Sequence, residues 1–261
     1  IQNIDPVKNH FQLFLEKMFA QEPFQYSLLG KEEQISRCTN KEVSAKYKHF
    51  LKQSGRTTLS IGAFSSQEKQ ILRPIPRESP GSLASRQKIF SRKSPSYFEE
   101  ESDNQQTWLF LGYRHDITPP HPLYPALTLY QQILGKIPDA LLIHRLREEL
   151  SLCYNVEMFM PAGKEAMFIT AGVLLHDRSA FMDEIQYLMD SFPLIRKKNT
   201  FLAMAKKKVL NTIAQWMDFP SYRLSFELES KLMGAKPSLQ DYCQNIEQVR
   251  WEDLQEASRH I

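Results

Sequence analysis

Residues 134–156 read LGKIPDALLIHRLREELSLCYNV, and within them one helix ends, a second is predicted and a strand begins. The apolar series Leu123, Leu127, Tyr130 and Leu134 leads into this stretch at helical spacing and is stopped by Gly135. Pro138 predicts the opening of the next helix, which carries Leu142, Leu146 and Leu150 on one face. The period then changes. Leu152–Met160 and Ala166–Leu175 are β-favouring runs, joined by Pro-Ala-Gly-Lys-Glu, a hairpin signal. Upstream, Thr107–Tyr113 is rich in aromatic and aliphatic residues and predicts a strand. Downstream, Phe181, Ile185, Leu188, Met189 and Phe192 mark an amphipathic helix, with further helices expected over 200–217, 221–233 and 239–258. The order β-α-α-β-β-α-α is that of a split-βαβ α+β sandwich, an antiparallel sheet with helices covering one face.

The first part of the chain reads differently. Asp5-Pro6 has the form of an N-cap followed by proline at the first helical position, and Val7, Phe11, Phe14, Leu15, Met18 and Phe19 continue as one apolar stripe. Thr39-Asn40-Lys41-Glu42 has the capping-box form, and Val43, Tyr47, Phe50 and Leu51 extend that helix on one face. Ser54-Gly55 turns the chain into Thr57–Ile61, a short β-favouring run. A lone strand leaves its backbone groups unpaired, so its partners must come from another segment or another chain. Residues 67–104, with four prolines among serines and charges, read as an extended linker, and its basic stretch Arg86–Lys93 as a solvated connector. The expected organisation is a partial N-terminal domain over 1–66, a linker over 67–104 and a C-terminal domain over 105–261.

Composition bounds the function. The chain of 261 residues carries a net charge of +3, which argues against a dedicated nucleic-acid binder. No apolar run approaches the roughly 20 residues a membrane helix needs. Three widely spaced cysteines fit a reducing compartment better than a disulfide framework, and cytoplasm is the default expectation.

Several chemistries lack their motifs. No two of the seven histidines stand four apart, so neither HExxH nor HxxEH can be built. His115 and His121 could share a metal, but His121 precedes a proline in a turn-like stretch and reads more simply as a loop residue. A nucleophile pair of Cys153 and His176 is conceivable, though strand cysteines mostly behave as small hydrophobes. No P-loop, GxGxxG or GxSxG occurs.

The segment LGKIPDALLIHRLREELSLCYNV resembles the C-terminal domain of the insulinase/pitrilysin family of zinc peptidases. There, a helix ending in Leu-Arg-Glu is followed by a strand bearing tyrosine. Upstream, PFxxSLLGKEEQI and KEVSAKYKHFL look like the part of that family's N-terminal domain that follows the metal site, and TTLSIGAF like its closing strand. The resemblance spans nearly the whole chain apart from the linker, and it implies an insulinase-family domain preceded by a partial domain of the same type. The family's substrate-holding arginine and tyrosine, seven positions apart, match Arg147 and Tyr154. Ser151 and Cys153 depart from a pattern in which small residues or glycine are common, and the Ser-Leu-x-Tyr form is similar to the short bacterial two-subunit branch.

The resemblance implies an auxiliary subunit with no metal ligand or cofactor of its own, paired with an HxxEH-bearing peptidase subunit that holds zinc. Arg147 and Tyr154 would then bind a peptide substrate opposite that zinc, in peptide processing or the maturation of subtilosin-type bacteriocins. Planar guanidinium donors and a phenol hydroxyl suit peptide carbonyls on which negative charge develops. Two alternatives stay open. One is a fragment of a self-sufficient zinc peptidase whose HxxEH lies before Ile1. The other is a structural core-type subunit without turnover. Taken alone, Arg147 beside Glu148 and Glu149 reads as a solvated helix residue, and Tyr154 as strand packing.

Overall fold

The structure is a computed structural model, and it describes residues 6–54, 59–71, 95–100, 107–161, 164–233 and 238–261. These residues form two compact units, one within 1–90 and the other within 91–261.

The first unit is helical among its described residues. Helix α1 spans Pro6–Met18, α2 Glu32–Arg37, α3 Asn40–Gln53 and α4 Ser66–Ile71. The α3 capping box forms as read, with Glu42 N–H donating to the Thr39 hydroxyl at 3.3 Å and Thr39 N–H donating to the Glu42 carboxylate at 2.9 Å. Helix α4 repeats the device with Ser65 and Glu68, so the expected linker opens on a helical segment. The strand expected at 57–61 is not found. Leu59–Ile61 carry no strand pairing, because no neighbouring strand supplies ladder partners among the described residues, and 57–58 lie outside them. Arg86–Lys93 also lies outside the described residues.

In the second unit, strands β1 (Thr107–Arg114), β2 (Cys153–Phe159) and β3 (Ala166–Val173) form an antiparallel sheet in the order β1-β3-β2. Helix α5 spans Tyr124–Gly135, α6 Arg178–Ser191, α7 Lys198–Met217, α8 Pro220–Met233, α9 Leu239–Gln248 and α10 Trp251–Ser258. This is the α+β arrangement that the periodicities predict. Strand alternation turns Met167, Ile169, Ala171 and Val173 of β3 into one core with Leu127, Tyr130 and Ile133 of α5. Phe181 and Ile185 of α6 and Leu254 of α10 join it, all at most 1% exposed. Trp251 of α10 stacks on Phe192 with centroids 4.9 Å apart.

The helix stop read at Gly135 holds, and two other local readings are corrected. Gly135 is the last residue of α5 and works by close approach, since a Cβ there would stand 2.6 Å from the Met158 Cβ on β2. Pro138 lies in a turn ahead of Asp139 at φ 58, and Leu141 is the first helical residue; the next turns, Ile143–Glu149, are a π-helix. Finally, the helix expected over 239–258 breaks between α9 and α10. Asp253 accepts the Arg250 N–H at 2.7 Å, and that local bond competes with helix continuation.

Candidate functional site

The π-helix and the start of β2 together present Arg147 and Tyr154. Widening to i→i+5 hydrogen bonding shows in Leu150 N–H returning to the Arg145 carbonyl at 3.1 Å. Ser151 then takes φ 52, and Leu152 N–H reaches back to the Leu146 carbonyl at 2.8 Å, which closes the helix and launches β2. Arg145 ties the turn down by donating from Nε to Glu184 of α6 at 2.6 Å and from a terminal nitrogen to Glu149 at 2.9 Å. Those two carboxylates hold the Arg145 guanidinium well above its ordinary pKa, and Arg145 in turn holds Glu149 below the usual carboxylate range.

Burial then alternates along the segment. Leu146 is fully buried and Cys153 nearly so, while the Arg147 side chain is 48% exposed and Tyr154 46% exposed. Both proposed substrate-holding residues thus open to solvent at the end of the sheet where β2 begins. The Arg147 guanidinium donates to neighbouring Glu148 at 3.1 Å, a surface pair worth ~0–1 kcal/mol and easily exchanged for a ligand. Arg147 and Tyr154 make no hydrogen bond to each other. Burial raises the Tyr154 phenol above its ordinary pKa, with a smaller push from Cys153, so it stays a protonated donor near neutral pH.

The competing readings fare differently. Burial pushes the Cys153 thiol up to about 11, which keeps it protonated and a poor nucleophile, although the Arg147 charge works the other way. His176 is exposed and pairs with Asp177 at 3.4 Å, not with Cys153. Among the described residues, no three His, Cys, Asp or Glu side chains gather so as to hold a metal ion. His121 spends its Nδ1 accepting the Leu123 N–H at 3.1 Å and stands edge-on to His260, whose Nδ1 pairs with Asp116 at 2.7 Å. His115 is buried away from solvent. Trp108, Asn155 and Gly172, which surround Tyr154, were not singled out by sequence reasoning. A glycine inside the run Thr170–Val173 is itself a signal of close backbone approach.

The domain is thus an α+β fold, an antiparallel sheet with covering helices and a π-helix leading directly into β2. The model of the peptidase M16 inactive domain matches residues 11–192, and the chain belongs to that family. The Bacillus subtilis (strain 168) protein named "Probable inactive metalloprotease YmfF" is 25% identical over 171 residues, covering 64% of this chain and 39% of that protein. A conserved protein from Enterococcus faecalis V583 superposes with a TM-score of 0.82 at 20% identity, over 98% of this chain and 61% of that one. The peptidase M16 inactive domain from Pseudomonas fluorescens does so with a TM-score of 0.67 at 17% identity, over 95% of this chain and 61% of that one. The chain therefore spans less than two thirds of the length of each of these relatives. No described helix is long and apolar enough to cross a membrane.

Proposed function

We propose that this chain is the substrate-gripping, non-metal part of a two-subunit M16 zinc peptidase. Its partner is an HxxEH-bearing subunit of the same family, and its substrate an extended peptide, leader peptides of the bacteriocin type included. The observation that carries the reading is the paired exposure of Arg147 and Tyr154 beside buried Leu146 and Cys153 at one end of the sheet. A π-turn ion-paired to α6 through Arg145 and Glu184 supports it, since such turns recur at functional sites. The partner's zinc would supply the Lewis acid for peptide hydrolysis. Arg147 would hold a peptide carbonyl through charge-assisted donors, and the Tyr154 hydroxyl would donate to the oxygen on which charge develops. Three separated thiols fit a reducing compartment, and we place the complex in the cytoplasm.

Steady-state cleavage by the reconstituted pair tests the reading. Tyr154→Phe should lower turnover ~100-fold, the usual cost of losing one preorganised donor, with the melting curve unchanged. Arg147→Ala should impair cleavage too, and its split between KM and kcat reports how much ground-state binding the guanidinium supplies. If both variants cleave like the wild type, the chain is a structural subunit.

A further inference from the structure

Tyr154 owes its direction to its β2 neighbour Asn155 and to two residues of other strands, Gly172 of β3 and Trp108 of β1. The β2–β3 ladder pairs Cys153 with Val173 and Asn155 with Gly172, so Tyr154 is the extra residue of a bulge. A bulged residue has no ladder partner opposite, and its side chain can be re-aimed across the sheet. Here the ring runs over the backbone of β3 at Gly172. A Cβ built on Gly172 would stand 2.0 Å from the phenol oxygen and 2.2 Å from Cζ of Tyr154, far inside any real contact. It would also stand 2.8 Å from Oδ1 of Asn155, the atom that accepts the Gly172 N–H at 2.9 Å. On the far side of Gly172, β1 places Trp108 in register with it. The Trp108 ring meets Tyr154 edge-on, with centroids 6.4 Å apart and planes at 87°. One strand supplies the phenol, the middle strand a bare backbone floor, and the third an aromatic wall.

We infer that Gly172 is a positioning residue for Tyr154: its missing side chain is the seat in which the phenol lies, with Asn155 fixing the floor and Trp108 the far wall. The inference rests on the substrate-holding role proposed for Tyr154, yet the seat itself can be measured without activity. A purely structural glycine makes the opposite forecast. Within a strand, glycine is unfavourable relative to alanine, so Gly172→Ala would be neutral or stabilising if nothing lay above it. With the phenol in place, the new methyl must expel it.

The test uses the chain paired with its metal-bearing partner and labelled with fluorotyrosine, the Tyr154 line being identified by its loss in Tyr154→Phe. Gly172→Ala should move that line and lower cleavage ~10–100-fold, the scale of a misplacement near 1 Å. In a Tyr154→Ala background, the same change should cost nothing further, because the group it displaces is gone. Should Gly172→Ala not fold, Trp108→Leu removes the wall without adding bulk, and it too should move the Tyr154 line. An unmoved line with undiminished cleavage in whichever of these variants folds overturns the seat. A moved line, with cleavage indifferent to every change at Tyr154, leaves the seat standing and overturns the substrate-holding role.

Discussion

Ser151 has the most consequential backbone conformation near the site. Its φ of 52 puts a residue with a Cβ in the left-handed region, where non-glycine residues cost about 1–2 kcal/mol. The conformation is needed because the chain must leave the π-helix and enter β2 at once, and Leu152 N–H must still find the Leu146 carbonyl. Glycine, which the family resemblance associates with this region, would remove the steric cost but add freedom to the unfolded chain. Ser151→Gly should therefore raise stability by up to ~1 kcal/mol, read as a higher denaturation midpoint at unchanged slope. A loss of stability would mean that the serine hydroxyl contributes more than the backbone strain costs. Gly135 and Gly172 differ from this position. Neither is needed for a positive φ, and both leave room for a neighbouring side chain, Met158 in one case and Tyr154 in the other.

At the scale of elements, two forces hold the π-helix in place, and their magnitudes separate them. Arg145 to Glu184 is a short ion pair on a partly exposed surface, with the Arg145 side chain 37% exposed and the Glu184 side chain 17% exposed. Leu146 is fully buried in the core beside it. Leu146→Ala should cost ~2–5 kcal/mol in chemical denaturation. Glu184→Gln should cost no more than ~1 kcal/mol, because solvent screens the charge pair. The two changes should diverge in a second measurement. Hydrogen exchange at the Leu150 and Leu152 amides, whose acceptors lie in the tethered turn, should quicken in Glu184→Gln while the β3 amides keep their protection. Uniform exchange throughout the domain would show that the ion pair has no local role.

For the whole molecule, pH dependence should turn on His115. It is 7% exposed, with both ring nitrogens shut away from solvent. Burial lowers its pKa to about 4 from an ordinary 6.5, with Arg114 and His260 adding to the depression and the Ile117 backbone and Asp116 opposing it. Between those two values the unfolded chain binds a proton that the folded chain refuses. Stability should therefore fall as pH drops from about 6.5 toward 4 and level off below, by at most about 3 kcal/mol from this group. His115→Leu should flatten that window, as read from thermal melts across the range. An unchanged slope would show that the imidazole is not the titrating group. The first unit raises a different question of the whole. Val43, Tyr47 and Phe50 form the apolar stripe of α3, yet each is more than half exposed among the described residues. Such a stripe calls for a covering surface.

The sequence by itself was enough for whatever depends on neighbours a few residues apart. Helical spacing placed α5 and α6, β-favouring runs about a hairpin signal placed β2 and β3, and the Thr39/Glu42 capping box formed as written, because each rests on residues close in sequence. Arg147 and Tyr154 came forward through the resemblance of their motif, not through spacing or burial. Tertiary structure decided the rest. The apolar positions Leu142, Leu146 and Leu150 suit an α-helix, and only packing of Leu146 with the Arg145 tether shows the turn widened to π. Leu59–Ile61 has strand propensity, but a strand exists only where another supplies hydrogen bonds. The bulge that frees Tyr154 is a relation of register between β2 and β3, and its seat a relation among three strands, so neither can be read from any one segment. His115 lies on a stretch whose polarity reads as loop, and only the surrounding packing makes it a buried base. Each of these turns on which distant residue arrives opposite, and that is settled by the closing of the core.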